Sequence, residues 1–143
     1  MTTLPPPHGT ARRLAAPIAV LAAAAATCGF VAWADPTTPG GVLPACPTKA
    51  LLGIDCPGCG GTRMLYALVH LDIPNALRYN AVGVAALVVA VAAYGVWAWG
   101  RLRARPVRTG RRPRWAPPAV LVVLAVWFVV RNIPVEPFTA LRI

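Results

Sequence analysis

Acidic residues are nearly missing: Asp and Glu together fill four of 143 positions, and charged residues of either sign make up only 13%. That scarcity excludes an ordinary water-soluble domain, which needs polar side chains to cover its core, because 57% of this chain belongs to the apolar set. The same apolar content excludes a disordered chain, since so many side chains can be withdrawn from water. Also missing are a carboxylate pair, a Ser/His/Asp set and a phosphate-cradling loop in its proper context, so no enzyme is visible. There is no internal repeat. The chain does have a strongly basic balance, +10 at neutral pH, and its apolar residues are gathered into blocks.

Three such blocks stand out. Residues 14–34 and 81–100 carry no charge at all, and residues 115–130 form a third run that reaches 133 if Arg131 snorkels its guanidinium to an interface. A hydrocarbon core of about 30 Å needs roughly 20 helical residues, which the first two blocks supply and the third approaches. Lipid leaves the backbone no partner but itself, so each block is expected as a helix. The five tryptophans, Trp33, Trp97, Trp99, Trp115 and Trp127, lie near block ends, where indole rings favour the headgroup layer. No charge sits at the centre of a block, which argues against a transporter.

Basic residues orient the chain. Arg12 and Arg13 precede the first block, and seven arginines crowd residues 101–114; Lys49, Arg63 and Arg78 lie between the first two blocks, with Arg131 and Arg142 at the end. The positive side stays in the cytoplasm. The arginine link lacks the aromatic interleaving of a nucleic-acid patch and lies between two spans, so anionic lipid headgroups are its expected partner and nucleic acid is not. Ala32-Trp33-Ala34 before Asp35 could serve as a signal-cleavage site, but the long apolar run favours a retained signal anchor.

Between the first two blocks the organisation changes. Residues 35–41 form a turn-rich linker, and residues 48–54 suit about one helical turn. Asp55-Cys-Pro-Gly-Cys-Gly-Gly makes a tight corner that glycine permits. From 62 to 71 the period is helical, with Met64, Leu65, Leu68 and Leu71 on one face and Arg63, Tyr66 and His70 on the other. So short a helix is expected in a membrane interface, apolar face down. Asp72 and Pro74 open a second short helix, and Asn80 caps the second span.

The stretch Cys46-Pro-Thr-Lys-Ala-Leu-Leu-Gly-Ile-Asp-Cys56-Pro-Gly-Cys59-Gly-Gly-Thr62-Arg63, followed by Asp72-Ile-Pro-Asn-Ala-Leu-Arg-Tyr-Asn80, resembles the small bacterial membrane proteins grouped as domain-of-unknown-function family 2752. The resemblance rests on a Cys-Pro-x-Cys-Gly-x-Thr-Arg corner, a short helix, an acidic residue, an Ala-Leu pair and an Asn leading into a transmembrane helix. A looser similarity runs to about Phe138. The family often has Gly before the acidic residue, where this chain has Leu71. The resemblance implies an architecture and no activity.

Cys56-Pro-Gly-Cys59, with Cys46, is open to three readings: a redox dithiol, part of a zinc site or a structural bridge. No alternation of strands and helices of the thioredoxin kind surrounds it. Zinc lacks a fourth ligand: His70 lies about 16 Å along a helix from Cys59, and Asp55 is the only nearby substitute. A bridge is therefore the leading expectation, with Cys46 as its firmest member, because linking it to Cys56 or Cys59 closes a loop worth about 3 kcal/mol. Cys28, inside the first span, is a small apolar residue. Arg63 in a first helical turn opposes the helix dipole and calls for an anion. Asp55, Asp72 or a lipid phosphate could supply it, an internal salt bridge being preferred, and Thr62 with Arg63 is the candidate anion contact.

The expected protein is all-α and integral to the membrane, with three transmembrane helices and a short interfacial or re-entrant helical segment between the first and second. Residues 1–13 are a cytoplasmic tail, 14–34 the first span, and 35–80 an extracytoplasmic Cys-rich loop. Residues 81–100 are the second span, 101–114 the basic cytoplasmic link, 115–133 the third span, and 134–143 an outer tail. The expected role is structural or accessory, in a bacterial cell membrane, through a protein partner or homo-oligomer; the small-residue run 22–26 permits close helix contact. No catalytic residue, metal or cofactor is assigned. The other reading is thiol redox or lipid-headgroup handling at the Cys-Pro-Gly-Cys-Gly-Gly-Thr-Arg corner.

Overall fold

Uncharged runs of Ala, Val and Leu offer the backbone few competing partners, and each of the three blocks is helical. The computed structural model describes residues 10–43, 46–103, 113–136 and 138–141. In chain order it has α1 (Thr10–Ala34), α2 (Pro47–Leu52), α3 (Gly61–Val69), α4 (Ile73–Leu102), α5 (Ala116–Asn132) and a 3-10 turn, Phe138–Leu141. Among the described residues there is no strand. The expected tail 1–13 and the basic link 101–114 fall largely outside the described residues, and the outer tail 134–143 falls outside them in part.

Arg13–Ala34 of α1 and all of α4 are long and apolar enough to cross a membrane, each with a mean hydropathy of 2.1. α5 is also apolar but has only 17 residues, about 25 Å of helix. Side chains such as Leu21, Val89 and Leu121 on these helices are exposed. The second block lies within α4, whose short first part starts at Ile73 as expected, with Asp72 as N-cap accepting a hydrogen bond from the Asn75 N–H at 3.2 Å. Asn80 breaks that helix with φ −163° and ψ 85°, and its Oδ1 accepts from the Gly83 N–H at 2.8 Å. This is an N-cap reopening the helix at the position expected from sequence.

α3 packs on α4. Met64 and Ala67 are buried against Ala76, with Leu68, Tyr79 and Val84 around them. The approach is close enough that a Cβ on Gly83 would stand 2.7 Å from Met64 Sδ. The apolar face of α3 therefore meets α4, and Leu71, expected on that face, instead turns out with φ +60° and is 83% exposed. Tyr94 Oη donates to the Pro17 carbonyl at 2.9 Å and ties α4 to α1.

Candidate functional site

A corner between α2 and α3 collects the chemistry. Gly53, in the left-handed region at φ +67°, ends α2 and turns the chain back toward its start. Gly60, at φ +78°, sits at the N-cap of α3. Both conformations favour a residue without Cβ. The Cys59 N–H donates to the Cys56 carbonyl at 3.0 Å and closes the corner. The result is that Cys46, at the head of α2, faces Cys56 and Cys59.

The sulfurs converge. Cys46 Sγ lies 3.5 Å from Cys56 Sγ, Cys56 Sγ lies 2.9 Å from Cys59 Sγ, and all three fall within 4.8 Å of one another. The Cys56 N–H also donates to Cys59 Sγ at 3.2 Å. All four cysteines of the chain are free thiols, so the expected bridge is not formed here. The thiols divide a proton unequally. Hydrogen bonds from Cys59 and Cys56, then from the amides of Thr48 and Lys49, hold Cys46 down at about 6. Burial, then the Cys56 and Cys46 sulfurs, push Cys59 up to about 12. A thiolate on Cys46 hydrogen-bonded by neighbouring thiols is the arrangement these shifts describe.

A cleft of about 620 Å³ opens beside the sulfurs, lined by all three cysteines with Lys49, Asp55 and Arg63 among others. Its far wall is the turn after α1. There Asp35 accepts from the Thr37 N–H at 3.1 Å, from the Thr37 hydroxyl and from the Thr38 hydroxyl at 2.8 Å. Those hydroxyl bonds hold its carboxyl below the ordinary range. Arg63 meets a carbonyl and not a carboxylate: its Nε donates to Pro36 O at 3.0 Å, which joins α3 to the end of α1. Lys49 takes Asp55 at 3.2 Å, and Asn75 takes Asp72. The salt bridge expected for Arg63 is therefore replaced by a backbone contact. Thr62 is exposed at the cleft rim. His70 is away from the thiols, its Nδ1 donating to the Tyr66 carbonyl at 2.8 Å.

Three residues not singled out as site residues complete the corner. Arg131, expected to snorkel outward, is fully buried and donates from Nη1 to Cys59 O at 2.6 Å, its guanidinium 5.6 Å over the Trp127 ring. Asn132 Oδ1 accepts from the Asp55 N–H at 3.0 Å while its Nδ2 donates to the Asp55 carbonyl at 2.9 Å. Asn80 Nδ2 donates to Pro57 O at 3.0 Å. The sequence signal for the first two was an Arg-Asn pair closing an otherwise uncharged run. A polar side chain there needs a partner.

Residues 46–94 match the model of the family described as "Protein of unknown function (DUF2752)", the family that the motif resembles. The stretch takes in α2, the thiol corner, α3 and most of α4, and leaves out α1 and α5. No curated protein and no solved structure matches the chain.

Proposed function

We propose that this chain, carrying the family stretch at its centre, is a three-span bacterial membrane protein of structural or accessory role, its thiol corner outside and its N-terminus in the cytoplasm. One observation carries the reading: the C-terminal ends of α1 and α5 and the kinked N-terminal part of α4 all meet the corner through the contacts of Pro36, Asn80, Arg131 and Asn132. Helices crossing up, down and up would bring those same ends to one face, and the arginine link with the N-terminus to the other. The corner is then a platform that fixes the helices, while their apolar sides stay available to lipid, to a second copy or to a protein partner. Anionic headgroups suit the arginine link.

Threading is tested with phosphatase fusions, active after Gly41 and silent after Arg108 if the reading is right, and the reverse if it is wrong. The accessory role is tested with photo-crosslinkers at the exposed positions Ala24 and Val122 in native membranes. Discrete protein adducts support it; lipid adducts alone at both positions refute it.

A second reading, dithiol exchange, is favoured by the 2.9 Å approach of Cys56 and Cys59. In it the two thiols lose two protons and two electrons to a disulfide oxidant, which leaves as two thiols. Fast, reversible formation of a Cys56–Cys59 disulfide would favour this reading. Headgroup handling by Thr62 and Arg63 has less behind it, since Pro36 O already engages Arg63.

A further inference from the structure

We propose that Cys46, Cys56 and Cys59 together hold one soft, thiophilic cation, zinc or cuprous copper, with the remaining coordination position open to the cleft. Sulfurs at about 2.3 Å from a common tetrahedral ion stand roughly 3.8 Å apart. The observed separations of 3.5 and 2.9 Å lie within an ångström of that value, and the third pair lies inside 4.8 Å. Sub-ångström side-chain shifts close the difference. A disulfide would use two of the thiols and leave the third with no task. A cation uses all three, and thiolate donors select the soft ions over magnesium or calcium.

Two further features fit a cation. The first is the cleft. All three cysteines line it, so the open position faces a space able to take a water or a donor from a partner. This removes the objection that no fourth ligand lies close in sequence, because open zinc sites need only three from the protein. The second is Arg131. It is fully buried and, among the described residues, is hydrogen-bonded through Nη1 to Cys59 O with no hydrogen bond reaching its Nε or Nη2. A buried guanidinium demands a counter-charge. Three thiolates around a divalent ion leave a net charge of about −1, and around a cuprous ion about −2. Either centre would supply that counter-charge beside Cys59, the most buried of the three thiols. The Cys56 N–H directed at Cys59 Sγ is the kind of outer contact that orients a sulfur ligand. Binding releases the thiol protons to solvent and involves no electron transfer.

The test uses the full chain, purified in detergent with reductant and freed of metal by a chelator. Cobalt serves as the optical probe for thiolate-to-metal charge transfer, with zinc and cuprous ions as competitors and magnesium as control. One cobalt per chain is expected, displaced by zinc or cuprous ion and not by magnesium. The absorption should be lost in Cys46→Ser, Cys56→Ser and Cys59→Ser and kept in Cys28→Ser. Arg131→Met should weaken binding about 10- to 100-fold, as an outer-contact loss does. Should the serine variants fail to fold, thiols of the unsubstituted chain are counted by mass after alkylation with and without each ion. Protection of Cys46, Cys56 and Cys59 together, with Cys28 still no better protected than before, supports the site. Unchanged alkylation with both zinc and cuprous ion, or undiminished binding in any one of the three serine variants, overturns it.

Discussion

Arg131 Nη1 donates to the backbone carbonyl of Cys59 at 2.6 Å across 72 residues of chain. This bond and the paired contacts of Asn132 with the Asp55 backbone dock the end of α5 on the thiol corner. Among the described residues, α5 has little other hold on the rest of the fold beyond its packing on the 3-10 turn. Two adjacent polar side chains thus set where an apolar helix ends.

Arg131→Met should therefore free the corner. A hydrogen bond from a charged donor is worth about 1.5–3 kcal/mol, so amide exchange at residues 56–61 should quicken about 10- to 100-fold. Arg131→Lys should fall between the two, keeping the charge but not the guanidinium that lies over the Trp127 ring. Exchange-mass spectrometry of the three proteins checks this, and equal exchange in all of them would mean that α5 does not brace the corner.

Leu71→Gly should stabilise the protein. Leu71 holds φ +60° while 83% exposed, so it pays for a left-handed backbone with no packing in return. That conformation costs a side-chain-bearing residue about 1–2 kcal/mol, offset in part by the entropy of glycine in the unfolded chain. A net gain of about 0.5–1 kcal/mol is expected, read as a higher unfolding midpoint in detergent. Leu71→Ala should give little of it, since alanine keeps the Cβ.

The Leu71 case shows how much could be read from sequence. The motif's usual glycine before the acidic residue already marked this turn as unusual, and the positive φ supplies the reason. Helices, the Asn80 cap and the corner's glycines were legible because each rests on neighbours in sequence. The convergence of Cys46 with Cys56 and Cys59 was only half legible: spacing allowed it, but the return after Gly53 brought it about. Arg131 was read as an interface residue and Asn132 was not singled out, since their partners lie 72 and 77 positions away. Arg63 misled for a different reason. Its acceptor is a carbonyl, which every residue has, so no side chain announces it.

Gly83→Ala should push α3 from α4. The new Cβ would meet Met64 Sδ at 2.7 Å and Asn80 Cγ at 3.0 Å. Overpacking of this kind costs about 1–3 kcal/mol. Met64→Ala removes the nearer obstacle but empties a core position. The double variant should then be less destabilised than the two singles summed, by about 0.5–3 kcal/mol of coupling. Strict additivity in chemical unfolding would show that the close approach does not persist in solution.

In the metal-free chain the thiols of the corner should differ in reactivity. A thiol attacks as its anion, so a lowered pKa extends reactivity to lower pH and a raised one withdraws it. Cys46, held at about 6 by the neighbouring thiols and the α2 amides, should be about nine-tenths thiolate at neutral pH. Its alkylation by iodoacetamide should climb through about pH 6 and level off above about pH 7. Cys59, pushed up to about 12 by burial and by the other two sulfurs, should stay inert through about pH 9. Alkylating Cys46 removes the acceptor that keeps the proton on Cys59, so Cys59 should titrate lower afterwards, by an amount that burial limits. Peptide mass spectrometry across the pH series follows each cysteine separately. If Cys59 is modified first, or Cys46 only above about pH 8, the thiols do not share their proton as the sulfur separations imply.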